Sequence, residues 1–360
     1  MGPGRREWGS GSEVIMKKPV LKNIGCIGIL CAIFTALYAL PYTLSPAVHA
    51  AGFDGGSAGT SGAQFLKVAS GARGAAMAEA YSAIADDAFA LDWNPAGILT
   101  VKKHSIVFMH APYLAGTFVD YFGYVENAGE VGAWGVALKY MNFGSIHKTD
   151  SNGFDLGGFT PYDISASVSF ATYISSYKRK PEERTILGAT GKFVRSKLES
   201  SDSTLSADIG LMFPWLFDKR FRLAMSAQNI MGALRYDKEE APLPLIFRVG
   251  SVTKLTKRFL MTIDVVAPKD NLSYIAAGGE MKIPLSKTLN SALRAGFNTR
   301  AISEVGGFHN ITIGFGLQHG TYHLDYALSP FGNLGLAHRI SVGWDWSTQK
   351  KLRKIYGKYK

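Results

Sequence analysis

The 360-residue chain has two cysteines, Cys26 and Cys31, and both fall in one apolar run near the start. Beyond residue 50 there are none, which removes disulfides, thiol nucleophiles and thiolate metal sites from the body of the protein. The body also lacks any apolar run of the roughly 20 residues that a membrane-spanning helix needs. Net charge is scarce there too. The formal balance is +11, but Arg5, Arg6, Lys17, Lys18 and Lys22 outweigh Glu7 and Glu13 in the leader, and Lys350, Lys351, Arg353, Lys354, Lys358 and Lys360 crowd the last stretch. What remains is nearly neutral, so bulk charge gives no nucleic-acid surface, and the basic end reads as a solvated tail. The histidines are dispersed. His319 and His323 have helical metal-site spacing, but Gly320-Thr321 between them reads as a turn between strands, where that spacing does not converge. Gly55-Gly56-Ser57-Ala58-Gly59 matches a hydrolase elbow only formally, because no strand precedes the serine. No metal, cofactor or catalytic group is expected, and the chain is read as a non-enzyme.

What is present begins with an export signal. Met16-Lys17-Lys18 and Lys22 precede an apolar run from Ile24 to Leu40, then Pro41, then Val48-His49-Ala50. This is the order of a secretory signal with cleavage after Ala50, the residues before Met16 being an upstream extension. A membrane anchor is the alternative reading of the run, which is short for that purpose. The expected layout is an extension and signal peptide over 1–50, a flexible lead and helical hatch over 51–100, a transmembrane β-barrel over 101–348, and a basic periplasmic tail over 349–360.

From His104 onward the hydrophobic period is two. Ile311, Ile313, Phe315 and Leu317 alternate with Thr312, Gly314, Gly316 and Gln318, and Ile340, Val342, Trp344 and Trp346 alternate with Arg339, Ser341, Gly343 and Asp345. Strands are predicted to begin near His104, Gly116, Val131, Tyr162, Thr185, Thr204, Phe221, Leu245, Phe259, Ser273, Leu289, His309, Thr321 and His338. About fourteen strands of about ten residues each, an even number, suit a bacterial outer-membrane barrel. A soluble β-sandwich would alternate as well. Connection lengths decide between them: with the first strand rising from the periplasm, the longest connections, 142–161 and 230–244, fall outside and tight turns such as the one at His319-Gly320 fall inside. The fold class is therefore an all-β transmembrane barrel of about 14 antiparallel strands.

Ahead of the strands stands Gly71 to Leu99, GARGAAMAEAYSAIADDAFALDWNPAGIL. Its Ala and Gly content suits a helix packed in a tight space whose wall is supplied by something else, because small side chains bury little area of their own. Helix is expected over Gln64 to Ala85, in two pieces broken near Gly71 and Gly74. The segment is read as an α-helical hatch plugging the lumen. Asp86-Asp87 ends the helix as a polar turn or pairs with barrel arginines, and Pro95 forces Asn94 out of the helical region. The hatch polar anchors are Arg73, Asp86 and Asp87. The inner face carries the lumen charges Lys139, Arg222, Arg248, Asp264, Glu280, Arg294, Asp325 and Arg339, together with Lys192, Asp208 and Asp345. Charges of both signs around one lumen would pair, which describes a filled barrel rather than a water channel.

The hatch sequence, the strand end Gln228-Asn229, LPLIFRVG at Leu243 to Gly250 and YALSPFGNLGLAHRISVGW at Tyr326 to Trp344 resemble the PorV/PorQ family, a branch of the FadL-like outer-membrane proteins. The resemblance covers essentially the whole mature chain. It implies a fourteen-stranded barrel with an N-terminal hatch, and two different jobs. On the FadL pattern, hydrophobic small molecules of the long-chain fatty-acid type pass by diffusion through a hatch-gated lumen. Asn94, Pro95, Ala96 and Gly97 would then be the gate, facing the strand Val131 to Met141, where Gly132 and Gly135 would allow a local kink. On the PorV pattern, the barrel is a component of type IX protein secretion that binds and shuttles cargo. The partners implied are outer-membrane lipid, a hydrophobic ligand or fatty acid, and secretion-system proteins. The chain continues past Trp346, unlike the usual ending of such barrels. Phe143, Phe154, Leu156 and Phe159, in the longest outer loop, read either as contacts for an apolar ligand or as interfacial anchors.

Overall fold

The computed structural model describes residues 55–347 apart from 177, 237, 238 and 301–309. The signal peptide expected to end at Ala50 and the tail 349–360 lie outside the described residues.

Among the described residues there are eighteen strands. They are β1 (His104–Pro112), β2 (Phe118–Asn127), β3 (Ala133–Asn142), β4 (Ile146–Thr149), β5 (Asp155–Phe159), β6 (Tyr162–Tyr173), β7 (Ile186–Lys197), β8 (Ser201–Met212) and β9 (Phe221–Gln228). The remainder are β10 (Ala233–Tyr236), β11 (Glu239–Pro242), β12 (Ile246–Lys254), β13 (Phe259–Pro268), β14 (Tyr274–Pro284), β15 (Leu289–Asn298), β16 (Ile311–His319), β17 (Tyr322–Pro330) and β18 (Leu336–Trp346). Fourteen of them close into one antiparallel barrel, each beside its neighbour in sequence, with β1 joined to β18. The hairpins β4–β5 and β10–β11 stand apart from it, in the connections after β3 and β9. Each strand expected from the sequence is a barrel strand.

The burial pattern follows the period-two sequence. Along β7 buried and exposed residues alternate over the whole strand. The exposed set around the wall is large and apolar, including Phe108, Leu138, Phe170, Phe315 and Ile340, while serine, threonine, glycine and ionised residues point inward. A sandwich in water would have that assignment reversed, so the outward band faces lipid. Aromatic contacts mark both edges of the band. At the short-loop end Tyr124 meets Trp134, and Tyr322, Trp344, Trp346 and His104 stack in series. At the long-loop end Phe118, Tyr140 and Tyr162 form a chain, and Tyr326 meets His338. These are the two interfacial belts of a membrane barrel.

The N-terminal segment departs from the expected helix. Only α1 (Ala72–Ala76) and α2 (Ala90–Trp93) are α-helical, with 3-10 turns at Gln64–Lys67 and Pro95–Thr100. The chain turns at Gly71 (φ 87°) and again at Ala78 and Glu79 (φ 52° and 75°). The physical reason lies in the wall. Backbone donors that a helix would satisfy internally go instead to inward side chains: Ala72 N to Ser341 Oγ at 2.7 Å, Ala78 N to Thr312 Oγ1 at 3.0 Å, Ser82 N to Asp264 Oδ2 at 3.0 Å and Ala88 N to Ser105 Oγ at 3.2 Å. With the hydrogen bonds met from outside, the segment needs no long helix.

Candidate functional site

Inward glycines leave the space that this segment fills. A Cβ on Gly135, Gly188, Gly210, Gly278, Gly296 or Gly314 would run into Leu91, the Pro95-Ala96 peptide, Asn94, Met77, the Met77-Ala78 peptide or Ala76 respectively. Any other residue there would push the segment off the wall. Read as inward positions of their strands, these glycines are the sequence signal that was overlooked.

Asn94, Pro95, Ala96 and Gly97 are all buried. Asn94 Oδ1 accepts from Ala96 N at 3.1 Å, which fixes the turn into Pro95. Its Nδ2 faces three carbonyls: Ser82 at 3.2 Å, Leu211 of β8 at 3.3 Å and Met225 of β9 at 3.4 Å. One amide thus touches both strands of a seam. That seam is short, since β8 pairs with β9 only through Ile209–Met212, four residues, whereas β7 and β8 pair over twelve. A Cβ on Gly97 would fall on the Ala85 carbonyl.

Two expectations are corrected here. The Asn94-Pro95-Ala96 turn sits against Gly188 of β7 and Gly210 of β8, with its amide on the β8–β9 seam, and not mainly across from β3. The β3 strand has no kink: it pairs with β2 and with β6 in continuous register from Ala133 to Asn142. Gly132 precedes the strand at φ 124°, and Gly135 makes room for Leu91, so these glycines serve a turn and a close approach instead of a break.

The lumen charges Lys139, Arg222, Arg248, Asp264, Glu280, Arg294, Asp325 and Arg339 all point inward and are buried. Arg73 Nε donates to Glu280 at 2.7 Å, Arg294 Nε to the same oxygen at 2.8 Å, and Arg294 Nη1 to Asp325 at 2.6 Å. Arg73 also pairs with Asp86, and Tyr81 donates to Asp87 at 2.8 Å. Asp86 therefore meets an arginine of its own segment and not one of the barrel. Lys139 joins Asp92 at 2.9 Å and the Val68 carbonyl at 2.6 Å. Arg222 holds the Ala83 carbonyl, and Arg248 lies 3.6 Å from Glu79 and over the Trp93 ring. Arg339 donates to Ser329 Oγ at 3.1 Å and has no carboxylate partner among the described residues. Glu79, Asp92 and Ser82 were missed as partners because nothing local in sequence points them at the wall.

One anchor lies in a connecting loop. Asp270, between β13 and β14, accepts from Gln64 Nε2 and Lys67 Nζ, each at 2.9 Å. Burial alone would raise its carboxyl, but these hydrogen bonds and the lysine charge outweigh it and hold it below the ordinary carboxylate range.

Cavities lie at both ends of the barrel. At the short-loop end about 230 Å³ lies among Asp86, Asp87, Lys102, Lys282, His323 and Asp345. At the long-loop end about 320 Å³ lies among Phe65, Tyr113, Met141, Phe143, Phe331 and Arg339. They share no lining residue.

The family model described as "Type IX secretion system protein PorV" matches residues 54–257. The chain belongs to the PorV family. The matched span runs from the N-terminal segment through β12, so it includes the Asn94 seam. No curated protein sequence matches the chain. Among solved structures, this PorV-family barrel is similar to the CymD monoaromatic hydrocarbon channel, at TM-score 0.53 and 9% identity over 79% of this chain and 99% of that one. It is also similar to the deltaS2 mutant of the TodX monoaromatic hydrocarbon channel, at 0.52 and 11% over 78% and 99%. The Ralstonia pickettii toluene transporter TbuX follows at 0.50 and 11% over 77% and 98%. At such identities the likeness establishes the fold, that of FadL-type outer-membrane barrels.

Proposed function

We propose that this PorV-family barrel is an outer-membrane transport component of type IX protein secretion, which binds polypeptide cargo at its long-loop end while residues 63–101 act as a hatch that keeps the lumen shut. The observation that carries this reading is how the hatch is held. Inward glycines admit it, Arg73 ties it to Glu280, Lys139 to Asp92, Asn94 to the β8–β9 seam and Lys67 to Asp270, and the two end cavities share no lining residue. A barrel closed this way has its surface, not its lumen, to offer a partner. Arg73, Asp86 and Asp87 anchor the hatch, and Asn94 to Gly97 form the turn on which it rests. Lipid surrounds the apolar band, and neither catalysis nor a cofactor enters. The hairpin β4–β5 is the exposed contact surface, with Phe154 70% and Leu156 58% exposed. Photo-crosslinkers at Phe154 and Leu156 in the native membrane should capture secreted polypeptides; capture of lipid alone would sink the reading.

A second reading has its own support. The cavity at the long-loop end has Phe65, Tyr113, Met141, Phe143 and Phe331 in its lining, an apolar surface for a hydrophobic small molecule, beside the charged Lys67, Glu79, Asp163, Arg300 and Arg339, which could meet a polar head. Passage beyond it needs the hatch to yield at Asn94. Liposomes bearing the Asn94→Ala, Pro95→Ala double variant should then take up a hydrophobic probe several-fold faster than those bearing wild type. Equal rates would remove the hatch from the pathway.

A further inference from the structure

One buried cluster of reactive groups is bonded within itself and to the wall. Lys192 of β7, Asp208 of β8 and Asn229, the residue after β9, are 5%, 1% and 3% exposed. Lys192 Nζ lies 2.7 Å from Asp208 Oδ2 and 3.1 Å from Asn229 Oδ1, while Asn229 N donates to Asp208 Oδ1 at 2.8 Å. Asn229 Nδ2 donates to the Pro244 carbonyl at 3.0 Å, which fixes the carboxamide with its oxygen toward the amine. Asn229 itself is left-handed, φ 56°, where the chain leaves the ladder. The cluster therefore assembles three strands at the point where the β8–β9 seam ends.

An amine, a carboxamide and a carboxyl held together away from water are the components of an amide-forming reaction that needs no other reactant. Proximity supplies much of the barrier in such intramolecular steps, and a desolvated lysine beside a base is an activated nucleophile. Asp208 Oδ2, 2.7 Å from Lys192 Nζ, is placed to take its proton.

We propose that Lys192 and Asn229 become joined by an intramolecular isopeptide bond, with Asp208 as the proton carrier. Lys192 Nζ gives a proton to Asp208 and attacks Asn229 Cγ. As the new Nζ–Cγ bond forms, Asp208 passes that proton to Nδ2 and takes the second proton from Nζ; the Cγ–Nδ2 bond then breaks, one ammonia leaves, and Asp208 is left protonated, so the charges of the ion pair cancel. Nothing is oxidised or reduced. The link ties β7 to the exit of β9 across β8, over the outer part of β8, where Ser201–Asp208 have no partner in β9. There the connection to β12 covers the strand instead, with Ile230 N on the Ala207 carbonyl and Gly232 against Leu205 and Thr204. A covalent tie would hold the wall where its ladder is shortest.

Peptide mapping of the purified full-length barrel by mass spectrometry tests this without regard to N-terminal processing. The expected result is one branched peptide containing Lys192 and Asn229, lighter than its two parts by one ammonia and uncut by trypsin after Lys192. Lys192→Arg, which keeps the charge, and Asp208→Asn should each give separate, unmodified peptides. Separate Lys192 and Asn229 peptides from wild type would overturn the proposal, as would an ammonia loss confined to the Asn229 peptide. A branched peptide from Asp208→Asn would overturn the role of the carboxyl.

Discussion

Two stretches of the wall hold the same segment by different means. Along β14 to β17 the glycine notches at Gly278, Gly296 and Gly314 are reinforced by a chain of buried charges, Arg73 to Glu280 to Arg294 to Asp325. Along β7 to β9 the notches at Gly188 and Gly210 take the Asn94 turn, whose neutral amide bridges two backbone carbonyls, and the one charge there that touches the segment, Arg222, meets the Ala83 carbonyl and no carboxylate. The difference shows how fit and charge divide the work. Shape decides whether the segment seats at all, and ion pairs decide how costly it is to lift one side. A buried charge stripped of its partner costs far more than a neutral amide stripped of a long hydrogen bond.

The largest effect is expected from shape. In Gly210→Val the Cβ would fall on Asn94, so the segment cannot seat and the barrel should fail to give a heat-modifiable folded band on SDS gels. Gly191, on the same wall but facing outward, has nothing within 4 Å of its Cβ position, so Gly191→Val should fold like wild type. Equal behaviour of the two variants would remove the distinction between notch and open wall. On the charged side, Glu280→Ala leaves Arg73 and Arg294 facing each other without their shared carboxylate. The loss should be about 3–5 kcal/mol in urea unfolding from detergent. A loss below about 1 kcal/mol, typical of solvated pairs, would mean that water reaches this cluster.

How much of this was legible in the sequence follows from the range of each interaction. The barrel was, because alternation such as that of Ile340 to Trp346 recurs strand after strand and each strand declares its own two faces. The inward charges were legible by the same parity. Their partners were not: Glu280 meets Arg73 across 207 positions, and no local pattern encodes that separation. Helix over Gln64 to Ala85 was misread for a related reason. Propensity describes a chain that satisfies its own backbone, and here Ser341, Thr312, Asp264 and Ser105 satisfy it instead. The β3 kink was misplaced because a glycine in a strand marks either a break or a close approach, and sequence does not say which.

On the neutral side the effect should be smaller. Asn94→Ala removes three long hydrogen bonds and the cap on Ala96 but leaves no charge exposed to the barrel interior. A cost of about 1–3 kcal/mol is expected, mostly from the carbonyls left unpaired. If Asn94→Ala cost as much as Glu280→Ala, the two stretches of wall would not differ in kind.

The smallest expected effect is at the long-loop end, where pH can separate charge from shape without touching the lumen. The Asp270 carboxyl is held below its ordinary range by Gln64 and Lys67, so the folded protein favours its ionised form. Its contribution is therefore fully present above the unfolded carboxylate range, near pH 3.9, and is lost as the pH falls through the lower folded value. Lys67 is partly exposed, 27% of its side chain, which keeps the contribution to about 0.2–1 kcal/mol. Wild type should exceed Asp270→Asn by this margin in urea unfolding at pH 7, and the two should converge as the solution is acidified below the ordinary carboxylate range. A margin that stays constant with pH would assign the anchor to the fit of the Gln64–Lys67 turn, and the long-loop end would then belong with the neutral stretch of the wall.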